Sequence, residues 1–515
     1  MRDYAETIGF LGQWGRFQQI VFFSLVATIM PNGFGAFTLV FLTDTPSHHC
    51  LVSGINLTED WRKSVIPIRV SDCESPNSVI QCSRYRLDVV RNLSAQGYIP
   101  GRDVNLTDLE EEGCVDGWSY SKDIYESTIV SEFDLVCSNQ WKQPFTSTVF
   151  FVGGLLGSFF SGQLSDRYGR KHILFAALAI QTVFTFAQVF SGSWIMFLII
   201  LFINGLGQMS NFVAALVLGS EVLTGKVRVL YSSFGTCLGF AIGYMILPLL
   251  AYFLRDWKSL SLALSLPCVA YVPFWWLMPE SPRWLLSRGR VEEAEAIIRT
   301  AAKWNKVQAP RIIFEDCGVS ELSLKHYWIK PRCRTQLFTM TVGYYSLSFN
   351  TAQFHENPYI SCFISAVVEI PAYISSWMAL LYLPRRLSVI LTLVFGAVPL
   401  YLIQLVPDDL SNLALALEML GKYSITTGSS LMFAYTAELY PTVLRNTATG
   451  TSNTVSRIGS CIAPLLLSLG MYSKYLPYII LGTLAVVAAF AALFLPESFK
   501  KPLPETIEQM HRRER

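Results

Sequence analysis

Charge is what this chain of 515 residues is short of. Asp, Glu, Lys and Arg together make up 15% of it, against about a quarter in an ordinary soluble domain. That shortage excludes a solvated globular chain. The net charge is +2, with no basic stripe or recognition motif, so no nucleic-acid partner is expected. No HExxH, no GxSxG and no phosphate-cradling glycine loop stands in a suitable context. An enzyme is therefore not expected, and no catalytic residue, structural metal or cofactor is assigned. The opening stretch MRDYAETIGFLGQWGRF lacks a cleavable leader pattern, so the first apolar run is expected to stay as a span.

Apolar sequence is abundant instead: 52% of residues are hydrophobic and 13% aromatic. Twelve runs of roughly 17–25 residues have the length of membrane helices. They cover 18–42, 145–165, 173–190, 194–220, 231–253, 258–277, 337–353, 360–383, 388–406, 412–437, 449–471 and 475–495. The seventh, around TMTVGYYSLSFNTAQ, is short and polar. Basic residues fill alternate loops: Arg167, Arg170 and Lys171, then Lys226 and Arg228, then Arg385 and Arg386, then Arg445. The positive-inside rule puts these loops and both termini in the cytoplasm and residues 43–144 outside. That outer segment holds three acceptor sequons, at Asn56, Asn92 and Asn105, which point to a glycosylated loop. It also holds Cys50, Cys73, Cys82, Cys114 and Cys137. Five is odd, so at most two internal bridges form, and spacing leaves their connectivity open. The other six cysteines read as reduced packing residues. The resulting plan is an N-terminal six-helix half (1–277, including 43–144), a cytoplasmic loop (278–336), a C-terminal six-helix half (337–497) and a tail (498–515). Within the loop, residues 291–304 predict an amphipathic helix with Ala294, Ile297, Ile298 and Ala301 on one face.

The chain repeats itself. Glu221, Arg228 and Pro279-Glu280-Ser281 recur as Glu438, Arg445 and Pro496-Glu497-Ser498, each 217 positions later. Duplication with charges at helix ends is the architecture of a secondary transporter. A second motif, Gly162-x3-Asp166-Arg167-x-Gly169-Arg170-Lys171, follows span 2; Gly169 permits the tight reversal into span 3. Together with Arg283, these charges are expected to form gating salt bridges that hold the two halves shut, or to serve as static anchors.

That loop resembles the signature of the major facilitator superfamily. VSEFDLVC, PESPRWLL and AELYPTVLRN resemble the organic cation/anion/zwitterion transporter family, and IMPNGF, GQMSNFVAALVLGSE, VEIPAYI, SRIGS and PLPETIEQM resemble its novel organic cation/carnitine branch. The resemblance covers nearly the whole chain. It implies an all-α membrane protein with the 12-span major facilitator fold and two pseudo-symmetric halves. It also implies a plasma-membrane transporter of organic cations and zwitterions such as ergothioneine and carnitine, with sodium as a coupling ion. Nothing in the sequence sets an oligomeric state.

Ionisable residues inside spans are costly and become site candidates. Arg457 lies mid-span in SNTVSRIGS, where a guanidinium can take a carboxylate bidentately; in the family branch this arginine holds the carboxylate of a zwitterion. Phe240, Tyr244, Tyr344, Tyr345 and Tyr435 offer aromatic faces to an ammonium. Asn32, after the helix-interrupting Pro31, and Gln208 and Asn211 on span 4 are sodium candidates by resemblance; interhelical hydrogen bonding is the competing reading. Carnitine-coupled relatives carry a tyrosine where Phe240 stands, so the resemblance leans toward the ergothioneine/organic-cation member. Glu418 and Lys422 are four apart and read as a same-helix pair, while Glu369 has no local partner. Span 7 looks about a dozen residues short of relatives, which raises a transport-impaired variant as an alternative, beside an organic anion transporter for which Arg457 would also suit.

Overall fold

The computed structural model describes residues 7–52, 57–67, 82–310, 313–314, 331–350, 357–407, 410–439 and 442–498. Twelve long helices fill it, numbered α1 to α12. They are α1 (Arg16–Leu42), α2 (Lys142–Tyr168), α3 (Arg170–Gln188) and α4 (Trp194–Val222). Helix α5 has three stretches, Gly225–Leu230, a π turn at Tyr231–Gly235 and Thr236–Phe253. Helix α6 comprises Trp257–Val269 and Phe274–Leu277. The C-terminal half follows as α7 (Pro331–Asn350), α8 (Pro358–Tyr382), α9 (Arg385–Leu402), α10 (Ser411–Leu439), α11 (Thr442–Ser468) and α12 (Leu476–Ala492). Six helices among the described residues are long and apolar enough to cross a membrane by length and composition. Of the others, α12 is apolar but has only 17 residues, α6 is divided into two short stretches, and α7 and α10 carry polar residues that the bundle buries.

Helix α7 shows why. It has 20 residues, about 30 Å at 1.5 Å per residue, which matches the hydrocarbon thickness. It begins six residues before the expected span and ends three earlier. Its Gln336, Thr339, Ser346, Ser348 and Asn350 are all buried. The polarity that weakened it in the sequence faces protein rather than lipid.

The expected interruption of α1 at Pro31 does not occur: the helix runs on through the proline. Gly33 lies two residues beyond, where a Cβ would stand 2.1 Å from the Phe240 carbonyl oxygen. Backbone meets backbone at this crossing of α1 and α5. That approach brings Phe37 of α1 against Phe240 and Tyr244 of α5, with ring centroids 5.9 and 4.1 Å apart. Gly33→Ala is expected to force the two helices apart and destabilise the protein by about 1–3 kcal/mol. Thermal unfolding in detergent measures this, and an unchanged midpoint would contradict the close crossing.

Residues Phe41–Gln143, with Arg255–Trp257, form a second compact unit. Its core is Leu57, Trp61, Val65, Tyr85 and Val90. Two short antiparallel pairs run through it, His48–Cys50 with Trp118–Tyr120 and Ser83–Tyr85 with Glu111–Gly113. Disulfides join Cys50 to Cys114 and Cys82 to Cys137; Cys73 lies outside the described residues. The buried Arg84 is held by Glu112 and Asp116 at 2.9 and 2.6 Å. Asn92 and Asn105 are exposed, and Asn56 lies outside the described residues. Asp44 is half-buried, and loss of water pushes its carboxyl above the usual range.

The amphipathic helix spans Val291–Asn305. Ala294, Ile298 and Ala301 are buried as its spacing requires, and Ile298 and Ala301 pack with Ile8, Leu11 and Phe17. Asn305 accepts the Phe17 backbone N–H at 2.9 Å at the start of α1, filling one of the donors a helix start leaves open.

Candidate functional site

Arg457 sits on α11, which packs along α7. Its Nη1 donates to the Tyr345 hydroxyl at 3.0 Å. Its guanidinium lies 5.9 Å from the Phe212 ring centroid, and its buried Nε has no hydrogen-bond partner. Among the described residues no carboxylate pairs with it within 4.0 Å. An unmatched, half-buried cation of this kind is a ready receptor for an anion.

Tyr345 leads inward to a group of rings contributed by both halves. Phe37 is the hub, 6.2 Å from Tyr344, 6.1 Å from Tyr345 and 5.8 Å from Phe349. Phe151 of α2 stands 4.9 Å from Tyr345. Edge-on and offset arrangements of this kind are favourable in themselves and leave ring faces available to a cation. Phe37, Phe151, Phe212 and Phe349 were not singled out in the sequence, where apolar rings at helical spacing look alike.

A buried ion pair adjoins the rings. Lys422 Nζ lies 3.2 Å from Glu369 Oε1, and neither side chain has any exposed surface. The same ammonium sits 4.6, 5.7 and 5.9 Å from the ring centroids of Tyr244, Tyr344 and Phe37. Tyr344 donates to Glu369 Oε1 at 2.7 Å, and the Tyr244 and Ser365 hydroxyls are 3.1 Å apart. The same-helix pairing of Lys422 with Glu418 is therefore corrected. The lysine crosses to α8, where among the described residues Glu369 pairs with no other cation and Ser365 supplies a further oxygen.

The three amides come together around the turn after Pro31. Gln208 Nε2 donates to the Asn32 carbonyl at 2.7 Å. Asn211 Nδ2 donates to the Thr28 carbonyl at 3.0 Å and more weakly to Asn32 Oδ1 at 3.5 Å. Gln181 Nε2, which sequence reasoning missed, donates to the Pro31 carbonyl at 3.2 Å. These contacts are the interhelical hydrogen bonds of the competing reading. They also leave Gln181 Oε1, Gln208 Oε1 and Asn211 Oδ1 buried without partners. Oxygens left over in this way suit a small cation.

At the basic helix ends, two networks repeat. In the N-terminal half Arg170 binds Glu221 at 3.1 Å and Asp166 at 2.7 Å. Glu280 accepts the backbone N–H groups of Arg170 and Lys171 at 2.9 and 3.0 Å. In the C-terminal half Arg385 binds Glu438 at 3.0 Å, and Glu497 accepts from the N–H groups of Arg385 and Arg386 at 2.9 and 3.0 Å. Carboxylates at helix N-termini are favoured by the free N–H groups there. Gly169 makes the turn with φ +105°, and a Cβ there would meet Glu280 Oε2 at 2.6 Å. Each of these bonds joins residues within one half, as static anchors would. Arg385 was missed because it lies 215 positions after Arg170, two short of the repeat.

The remaining candidates fall elsewhere. Tyr435 is buried in the core of the C-terminal half, where its hydroxyl donates to the Pro496 carbonyl, away from the rings around Phe37. Arg167 is exposed and lies against the Tyr168 ring; Arg228 is exposed and Arg283 half-buried. The Arg445 side chain lies outside the described residues.

The Major Facilitator Superfamily model matches residues 140–464. Organic cation/carnitine transporter 2 of Rattus norvegicus is 49% identical over 99% of this chain and 94% of its own length. Solute carrier family 22 member 4 of Mus musculus is 49% identical over 99% and 95%. Organic cation transporter protein of Drosophila melanogaster is 32% identical over 98% and 94%. Among solved structures, the inward open conformation of the xylose transporter XylE from E. coli aligns with TM-score 0.56 at 15% identity, covering 96% of this chain and 99% of that one. XylE bound to 6-bromo-6-deoxy-D-glucose aligns with TM-score 0.58 at 14% identity, covering 96% and 98%. At that identity the likeness to XylE concerns the fold alone.

Proposed function

Because the chain belongs to the major facilitator superfamily, and within it to the organic cation/carnitine transporters, we propose that it is a plasma-membrane secondary transporter of organic cations and zwitterions, working by alternating access. The observation that carries this reading is the position of Arg457. A guanidinium without a carboxylate partner among the described residues hydrogen-bonds to Tyr345, and Tyr345 adjoins the rings around Phe37. An anion receptor beside aromatic faces suits the two ends of a zwitterion: a carboxylate on Arg457 and a quaternary or ring ammonium against the rings. Carnitine and ergothioneine both have this form. Phe240, which offers no hydroxyl, supports ergothioneine and related cations as the preferred class.

Sodium is the proposed coupling ion. The buried oxygens left without partners on Gln181, Gln208 and Asn211 are the residues that would hold it. Bound there, it would supply positive charge beside the Pro31 turn of α1 and favour the helix arrangement that receives substrate.

Radiolabelled uptake in transfected cells, with and without sodium replaced by an inert cation, tests this reading. Zwitterion uptake is expected to fall about tenfold or more without sodium, within the usual range of coupling energies. Tetraethylammonium should compete and an aromatic acid should not. Uptake of the aromatic acid alone would instead establish an organic anion transporter. Normal surface delivery with no uptake of any of these solutes would overturn the transport reading.

A further inference from the structure

Glu418 lies on α10, one helical turn from Lys422, and has no exposed surface. Its Oε1 accepts from Asn350 Nδ2 of α7 at 3.3 Å, and the same amide nitrogen meets the Tyr478 hydroxyl of α12. Its Oε2 has no hydrogen-bond partner. The cation on its own helix is engaged elsewhere, because Lys422 pairs with Glu369 at 3.2 Å and forms no ion pair with Glu418 within 4.0 Å.

Two carboxylates and one ammonium are thus enclosed together. With all three ionised the cluster carries an uncompensated negative charge in a dry interior, an arrangement that proteins avoid. One proton on Oε2 makes the cluster neutral and gives that oxygen the hydrogen it lacks. A metal ion suits the place less well, since it needs several oxygen ligands and the group facing Glu418 from α7 is an amide N–H.

We propose that Glu418 is a proton-binding site whose occupancy is linked to positive charge in the neighbouring group of rings. The step is a simple transfer: hydronium gives its proton to the carboxylate and leaves water, and the reverse step returns the proton to water. The link runs through Lys422, whose ammonium lies over Tyr244, Tyr344 and Phe37. A cationic solute against those rings adds positive charge beside the Lys422–Glu369 pair and favours ionised Glu418. By reciprocity, loss of the proton favours the cation. Among the described residues, the other ionisable groups on the helices packed around α10 are Tyr359, Cys362, Glu369, Tyr373 and Tyr382 of α8, Tyr344 and Tyr345 of α7, Tyr478 of α12, Tyr401 of α9, and Arg457 and Cys461 of α11; Arg385 and Arg386 stand at the opposite end of α9.

The test compares the purified full-length protein with Glu418→Gln, in which the position is permanently neutral. Between about pH 5.5 and 8.5 the thermal midpoint of the parent should fall as pH rises, because its folded state holds a proton that its unfolded state has released. That fall should be smaller in Glu418→Gln, and identical slopes would overturn the site. Adding tetraethylammonium should release protons from the parent, read with a pH-sensitive dye, and release about fivefold fewer or none from the variant; equal release would overturn the link. The release measurement rests on the proposed substrate class and the thermal one does not. A lost slope without proton release therefore supports the site and rejects that substrate class. If Glu418→Gln does not fold, the exchange Glu418→Gln with Asn350→Asp restores a carboxylate to the same hydrogen bond. It should keep the slope of the parent, and a flat profile would overturn the proposal.

Discussion

Replacing Glu369 with Gln is expected to destabilise the protein by about 3–5 kcal/mol, the loss that follows removal of one partner of a buried ion pair. The substitution keeps the shape of the side chain and takes away its charge. Lys422 would remain fully enclosed, with hydroxyls and ring faces around it and no carboxylate within bonding distance. Ring faces supply only about 0.5–2 kcal/mol, too little to stabilise a dry ammonium. Thermal unfolding in detergent and the amount reaching the cell surface both measure the loss. The double replacement Glu369→Gln with Lys422→Met removes the stranded charge and is expected to recover most of the stability, since apolar residues of similar volume often substitute for a buried pair at little cost. It should still fail to transport if the pair positions Tyr244 and Tyr344. Recovery of both stability and uptake would assign the pair a purely structural role. A single variant as stable as the parent would contradict the buried pair altogether.

Arg457→Ala is expected to lower uptake of a zwitterion by about 30-fold or more, equivalent to about 2 kcal/mol, the lower end for truncating one partner of an enclosed charge pair. Uptake of tetraethylammonium, which has no carboxylate, should change by less than about threefold. The contrast matters more than either value. Arg457 donates to Tyr345, so its removal could also loosen the rings around Phe37, and that would reduce both solutes alike. A selective loss identifies a carboxylate receptor; equal losses identify a packing role. Initial rates normalised to surface protein separate the two.

The helices were legible in the sequence because membrane spans announce themselves by length and apolarity, and Arg457 because a lone charge in such a span is costly enough to demand a purpose. The paired amides were legible by resemblance. Ion-pair partners were not. Lys422 has Glu418 at the favourable spacing on its own helix, yet its partner is Glu369, 53 positions earlier and across an interface. Local spacing ranks partners along one helix and carries no information on which helix lies opposite. Pro31 misled for a related reason. A proline deprives the carbonyl four residues earlier, that of Ala27, of its helical donor and so suggests a break, but the helix continues, and Gln181, Gln208 and Asn211 donate to the nearby carbonyls of Pro31, Asn32 and Thr28.

By itself, then, the sequence determined that the chain is a duplicated bundle of membrane helices with charge repeated at the helix ends. It also determined that the repeat is uneven at its centre, where Arg457 stands 217 positions after Phe240. Composition and periodicity are enough for that, since both are properties of the chain alone. Only the tertiary structure decided that Arg170 meets Glu221 and Arg385 meets Glu438, that Phe240 meets Phe37 while Arg457 meets Tyr345, and that Glu418 is left with a buried oxygen unmatched. Those outcomes depend on which helix faces which. Close crossings such as Gly33 against Phe240 set that arrangement, by letting backbones meet where any side chain would hold them apart.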